Sequence, residues 1–128
     1  MVALFLNGEG MRGGAVHHTV ESFPFLGEVR TAARYRFYSV REEFPGLAPA
    51  AAGEGAAISG ELYDVPLSTV GETFLAAEPA ELELGVVALS DGSYALCVQL
   101  RPGEVESGRH RDITEYGGWR AYRSAPAQ

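Results

Sequence analysis

The chain opens with a short apolar run, Val2 to Leu6, which breaks into a stretch with four glycines between Asn7 and Gly14. The run is too short for a helix and has the composition of a buried strand. Glycines let the backbone turn with positive φ and approach a ligand closely, and consecutive N–H groups in such a turn can hold an oxyanion. The pattern predicts a strand followed by either an anion-binding loop or a turn that only redirects the chain.

Alternating apolar and polar positions predict several further strands. Ser90–Ser93 has the composition of a hairpin turn, and Pro45–Pro49 also has the composition of a turn. The predicted strands cover residues 26–32, 35–40, 56–65, 82–89 and 94–100.

One segment shows convincing helical spacing, with apolar residues at 67, 70, 74 and 75. Pro66 or Ser68 would open this helix, and Pro79 would end it. Strands joined by hairpin-length connections outnumber helices. The sequence therefore predicts an α+β fold around a curved or barrel-like sheet, in a single domain that spans residues 1–128.

Composition excludes several classes of function. The net charge is −7, and all ten cationic residues are arginines, which argues against a nucleic-acid-binding face. We expect no membrane span and no signal peptide, and hence a cytoplasmic protein. The single cysteine, Cys97, is predicted to be a buried structural thiol. His17 and His18 are adjacent without further ligands at metal spacing, so we expect neither a metal nor a cofactor.

The chain ends in Asp-Ile-Thr-Glu-Tyr-Gly-Gly-Trp-Arg-Ala-Tyr, from Asp112 to Tyr122, and carries Gly-Glu-Leu-Tyr-Asp-Val at 60–65. With the glycine loop and the segment 26–38, these motifs resemble the γ-glutamylcyclotransferase-like superfamily. Within it, they are most similar to the C-terminal domain of allophanate hydrolase. The resemblance covers nearly the whole chain and implies a small mixed β-barrel with flanking helices and a cavity at the glycine loop.

The resemblance also implies a site. In the cyclotransferases, backbone N–H groups of the loop hold substrate oxygens, and a glutamate near the end of the following helix is the general acid and base. Glu78 matches that glutamate. In allophanate hydrolase the domain follows an amidase domain and is thought to decarboxylate the amidase product, with a loop histidine as base. Gly10 occupies the position of that histidine here.

We therefore predict Glu78 as the catalytic residue, because burial and nearby carboxylates would raise its pKa. Arg12 is expected to pair with a substrate carboxylate, whereas Glu9 would repel one unless it points away. Alternatively, Glu78, Glu81 and Glu83 form a solvated charge run at a helix end. The predicted substrate-binding residues are Asn7, Gly8, Glu9, Gly10, Met11 and Arg12.

The C-terminal motif also contains charged and aromatic side chains that could act in a site, but a structural role is favoured for it. Asp112 is expected to cap the terminal turn, and Trp119 and Tyr122 to pack on the sheet. Arg120 is expected to pack its aliphatic stem there and keep its charged end in water. The alternative is that these side chains line a pocket.

Three hypotheses for function follow. The first is a free-standing allophanate-hydrolase-type domain that binds a small carboxylate or amide metabolite in urea-type nitrogen metabolism, with an amidase as candidate partner. The second is a cyclotransferase-like enzyme that forms 5-oxoproline with Glu78. The third is a non-catalytic amine-binding or partner module, motivated by Glu9.

Overall fold

The computed structural model of this protein describes residues 1–126. The helical elements are α1, an irregular helix made of an α turn Leu67–Thr69, a π turn Val70–Phe74 and a 3₁₀ turn Leu75–Ala77, and α2, Trp119–Ser124. Short 3₁₀ turns lie at His17–Thr19 and Thr114–Tyr116. The strands are β1 Val2–Leu6, β2 Phe25–Arg30, β3 Tyr35–Val40, β4 Phe44–Pro49, β5 Ser59–Val65, β6 Leu82–Ala88, β7 Tyr94–Leu100 and β8 Arg111–Asp112.

The larger sheet has five strands in the order β2-β5-β1-β7-β6, with β1 antiparallel to β5 and parallel to β7. Its two edges approach each other at one end, where Thr31 bridges Leu89 and Ser90 N–H donates to Arg30 C=O. The named edge strands β2 and β6 do not pair with each other, so the sheet is curved rather than a closed barrel. The predicted α+β class is confirmed, and "barrel" describes it only loosely.

The smaller sheet has the order β4-β3-β8. The prediction of a turn at Pro45–Pro49 is wrong, because these residues lie in strand β4. Pro45 and Pro49 lie opposite Ser39 and Tyr35. The backbone N–H and C=O of Tyr35 point away from β4 and bond to Ala56. Because this orientation alternates along a strand, the N–H and C=O of Ser39 also point away from β4. Neither proline therefore needs to donate a ladder hydrogen bond, and proline is tolerated on such an edge strand.

The hydrophobic core places β1 at the centre of the molecule. Leu4, Phe5 and Leu6 are at most 3% exposed, and they pack in one cluster with residues of both sheets, α1 and Trp119. Burial of this apolar strand fixes the point at which the chain leaves the core and enters the glycine loop.

Other predicted elements appear close to their expected positions. The helix begins after Pro66 and ends before Pro79, and the hairpin turns at residues 90–93 between β6 and β7. Asp112 Oδ1 accepts from the Thr114 N–H at 2.9 Å, which confirms the predicted cap. Within residues 1–126, no helix is both long and apolar enough to cross a membrane.

Candidate functional site

A small cavity of about 170 Å³ lies where the end of β1 faces the end of α1. Asn7, Gly8, Glu9 and Gly10 line it from one side, and Glu78 lines it from the other. The π turn of α1 ends in Phe74, which is buried, and Glu78 follows in extended conformation. The structure therefore brings the predicted glutamate to the same cavity as the first half of the glycine loop.

Glu78 is a partly buried carboxyl group that has no countercharge within residues 1–126. Burial raises its pKa to about 7. Among residues 1–126, its carboxylate makes no hydrogen bond and no ion pair. Its charge also acts on the neighbouring Cys97 thiol, whose pKa is raised to about 12 by burial and then by Glu78. Cys97 is thus a buried, protonated thiol, as the sequence predicts, and of this pair Glu78 is the group with a pKa near neutral pH.

The other two carboxylates of the predicted charge run behave differently from Glu78. Glu81 forms an ion pair with Arg41, and this contact lowers the pKa of Glu81. Glu83 lies 3.3 Å from Arg101. Both are partly exposed carboxylates that are paired with arginines and do not line the cavity, so neither forms a freely solvated charge run with Glu78.

The backbone N–H groups of the glycine loop fall into two sets, those bonded within the protein and those without an acceptor in residues 1–126. Met11 N–H donates to Gly8 C=O at 3.1 Å, and Arg12 N–H donates to the Glu61 carboxylate at 2.9 Å. These two groups are occupied and do not face a ligand. The N–H groups of Gly8, Glu9 and Gly10 donate to no acceptor within residues 1–126. The potential oxyanion donors are therefore 8–10, a shorter set than the sequence predicts.

Gly8 is required by a close approach between the loop and β4. A Cβ atom at position 8 would lie 2.5 Å from Cδ and 2.6 Å from Cγ of the Pro45 ring. Because the proline ring cannot swing aside as a flexible side chain can, only glycine fits here. Pro45 also lines the cavity, so this contact fixes one of its walls.

Glu9 does not present its charge to a ligand. Its Oε2 accepts from Trp119 Nε1 at 2.7 Å, and its Oε1 accepts from Ala15 N–H at 3.1 Å. The carboxylate is thus occupied by donors of the protein itself. This arrangement removes the predicted repulsion of an anion, and it also removes the free carboxylate that motivated an amine-binding role.

Arg12 does not line the small cavity and belongs to an ion cluster around the buried Glu61. Its Nε donates to Glu61 Oε2 at 3.0 Å, and its Nη2 lies 3.4 Å from Glu28. Arg120 Nη2 also donates to Glu61 Oε2, at 2.9 Å, and Tyr63 Oη donates to Glu61 Oε1 at 3.0 Å. Arg12 is therefore bonded to carboxylates of the protein itself, whereas the sequence predicts that it pairs with a substrate carboxylate.

Glu61 is the polar residue that sequence reasoning missed. It is fully buried in β5, and burial alone would raise its pKa. The hydrogen bonds from Arg12, Arg120 and Tyr63 prevail and hold the pKa at about 2. Strand alternation was the available signal, because Glu61 shares a face with Tyr63 and Val65, which are both buried.

Met11 lines a second, larger cavity of about 740 Å³ on the other side of the loop. Trp119 and Arg120 also line it, so the C-terminal motif both packs, as predicted, and borders a cavity. His17 lies in the 3₁₀ turn and contacts the Gly10 carbonyl oxygen at 2.9 Å through Nδ1. Within the described residues, no group of three or more His, Cys, Asp or Glu side chains is placed to hold a metal ion.

Known proteins resemble this chain in sequence and in structure. The family model of the allophanate hydrolase C-terminal domain matches residues 2–124. Urea amidolyase of Lachancea kluyveri is 31% identical over 130 residues, which cover 94% of this chain and 7% of the amidolyase. The chain thus spans a small fraction of that curated relative. A crystal structure of a uropathogenic E. coli-specific protein superposes with a TM-score of 0.86 at 32% identity and covers 98% of each chain.

A more distant likeness extends the comparison at the level of the fold. An AIG2-like protein from Mus musculus matches with a TM-score of 0.58 at 19% identity, covering 80% of this chain and 78% of that one. The chain therefore belongs to the allophanate hydrolase C-terminal domain family and has the γ-glutamylcyclotransferase-like fold.

Proposed function

We propose that this protein binds a small amide-bearing metabolite in the cavity between the glycine loop and Glu78, and that Glu78 exchanges a proton with it. The observation that supports this proposal is that two kinds of group without a protein partner line one cavity. Within residues 1–126, Glu78 has no countercharge and a pKa of about 7, and the N–H groups of residues 8–10 have no acceptor. Unsatisfied polar groups in a partly dry cavity are typical of a ligand site.

The size and charge of the cavity favour a particular class of ligand. Its volume of about 170 Å³ lies below the range of about 300–1,000 Å³ that drug-sized ligands occupy, so a molecule of few atoms fits best. The acidic residues that line it are Glu9, Glu43 and Glu78, and no cationic side chain of residues 1–126 does so. Glu9 is bonded to Trp119 and Glu43 is paired with Arg41, which leaves Glu78 as the carboxyl that a ligand would meet. A neutral amide therefore suits the cavity better than a dianion, and a monocarboxylate is an intermediate case.

The proposed proton exchange depends on the two groups that line the cavity, the loop N–H groups and the Glu78 carboxyl. The loop N–H groups would hold and polarise a carbonyl oxygen of the ligand. A carboxyl with a pKa near 7 is present in both protonation states at neutral pH, so Glu78 could remove a proton from the ligand and later return it. The loop histidine of allophanate hydrolase corresponds to Gly10 here, which makes Glu78 the titratable group available for this step.

The names of the family and of the relatives support a metabolic setting as part of this proposal. The family and the curated relatives are named for allophanate hydrolase and urea amidolyase. A role in urea-type nitrogen metabolism, beside an amidase, is therefore part of the proposal. The cyclotransferase alternative also uses Glu78, but its γ-glutamyl substrate carries a carboxylate for which the cavity offers no cation. Release of 5-oxoproline from a γ-glutamyl dipeptide would reverse this order of preference.

Three probes of matched size and different charge test the proposal: malonamide, malonamate and malonate. Malonamide should bind more tightly as the pH rises through about 7, because ionised Glu78 is the better acceptor for its N–H groups. Malonamate should bind more weakly over the same range, because ionised Glu78 repels its carboxylate. Dissociation constants from NMR titrations between pH 5.5 and 8.5 should differ roughly tenfold in each direction.

Glu78→Gln and Glu83→Gln are the matched variants for this experiment. Glu78→Gln should abolish both pH dependences, whereas Glu83→Gln, at an exposed ion pair outside the cavity, should preserve them. If the folded wild-type protein bound none of the three probes, or if malonate bound best, the proposed site would be wrong.

A further inference from the structure

Two carboxylates connect the glycine loop to the C-terminal segment. Glu9, in the loop itself, accepts from Ala15 N–H and from Trp119 Nε1. Glu61, in β5, accepts from Arg12 N–H and from Arg120 Nη2. Each carboxylate thus binds one backbone N–H of the loop region and one side chain from the pair 119–120.

A third contact joins the same elements directly. Arg120 Nη2 donates to the Arg12 carbonyl oxygen at 2.7 Å. The loop's own backbone bonds are few, with Met11 N–H donating to Gly8 C=O and Gly14 N–H donating to Met11 C=O at 2.9 Å. A glycine-rich segment has large conformational freedom, so contacts from outside the loop are needed to hold one conformation.

The position of these contacts matters for the small cavity. That cavity is lined by Gly8, Glu9 and Gly10, whose N–H groups are unbonded within residues 1–126. The C-terminal segment holds the loop at two points near these groups, the Glu9 side chain and the Arg12 backbone. Trp119 and Arg120 do not line the small cavity; they border the larger cavity, which Met11 also lines. Their contacts with the loop therefore reach the small cavity only through Glu9, Arg12 and Glu61.

We infer that Trp119 and Arg120 are positioning residues for the loop N–H groups of the small cavity. Trp119 acts through the Glu9 carboxylate, whose Oε2 accepts from the indole N–H. Arg120 acts through Glu61 and through the Arg12 carbonyl oxygen. The inference about ligand affinity rests on the proposed function, whereas the inference about loop conformation stands on the contacts alone.

Trp119→Phe and Arg120→Gln test this inference, because the first removes the indole N–H and keeps most of the ring, and the second removes the charge. Both variants should shift or broaden the amide NMR signals of residues 8–10 and accelerate hydrogen exchange at the bonded N–H groups of Met11 and Arg12. Both should raise the dissociation constant for malonamide at least tenfold. Arg109→Gln, at an exposed ion pair with Glu104, should change neither readout.

The two readouts separate the two inferences. A variant that only lowers global stability leaves the loop amide signals of the folded protein unchanged at temperatures well below its Tm. If Trp119→Phe and Arg120→Gln left signals and affinity at wild-type values, the positioning role would be wrong. If wild type bound no malonamide, the proposed function would fail, while the amide signals would still decide the positioning role. Should Arg120→Gln not fold, Trp119→Phe carries the test.

Discussion

Glu78 and Glu61 show how the immediate surroundings of a carboxyl group set its chemistry. Burial raises the pKa of both groups, but only Glu61 receives hydrogen bonds, from Arg12, Arg120 and Tyr63. The result is a pKa of about 2 for Glu61 and about 7 for Glu78. Glu61 is therefore a permanently ionised structural group, and Glu78 is the one poised to gain or lose a proton near neutral pH.

The raised pKa of Glu78 implies a cost in stability that a substitution should relieve. Between its usual value of 4.5 and about 7, the unfolded chain is ionised at this position while the folded chain stays protonated. The free energy of unfolding therefore falls as pH rises through this window, by about 3 kcal/mol for a shift of this size. Glu78→Gln should remove this loss and be more stable than wild type at pH 8, but not at pH 4.

Urea denaturation of both proteins at several pH values measures this difference. Glu83→Gln serves as the control, because its exposed carboxylate lies beside Arg101 and does not line the cavity. A Glu78→Gln variant with the same unfolding free energy as wild type at pH 8 would show that the carboxyl is not desolvated in the folded protein.

At the scale of elements, the site depends on how closely the end of β1 approaches β4. Gly8→Ala would place a Cβ within 2.6 Å of two ring carbons of Pro45, so the loop and the strand must separate. We expect the unfolding free energy to fall by about 1–3 kcal/mol, as in other overpacked sites, and malonamide binding to be lost.

Gly71→Ala is the matched control for this substitution. Gly71 lies in α1, and a Cβ there meets no atom within 4 Å. Alanine favours helix over glycine by roughly 1 kcal/mol, so this variant should be as stable as wild type or more so. Thermal denaturation and binding of both variants decide the matter; a Gly8→Ala variant that keeps wild-type stability and affinity would contradict the close approach.

Some elements could be predicted from the sequence because their signals are local. The apolar run of β1, the hairpin at residues 90–93 and the helix between Pro66 and Pro79 each depend on neighbours along the chain. Strand β4 could not be predicted in the same way. Its prolines are acceptable only because β4 is an edge strand and its partner turns the relevant backbone groups elsewhere, which is a tertiary property.

At the scale of the whole molecule, the site is assembled from segments far apart in sequence. The resemblance of the chain to a known family indicated Glu78 and the loop, and both line one cavity. The partners of Arg12 were not predictable, because Glu61 and Arg120 reach it only after β1, β5 and α2 are packed together. The resemblance thus indicated residues that line the cavity, while the partners that hold the loop required the folded structure.

The most direct test of this account is the titration of the Glu78 side chain itself. The carbon-13 chemical shift of its carboxyl group, followed by NMR from pH 3 to pH 9, reports the pKa of that residue in the folded protein. We predict an apparent pKa of about 7, together with shifts of the residue 8–10 amide signals at the same midpoint. A midpoint near the usual 4.5 would show a solvated carboxylate and would contradict the proposed site.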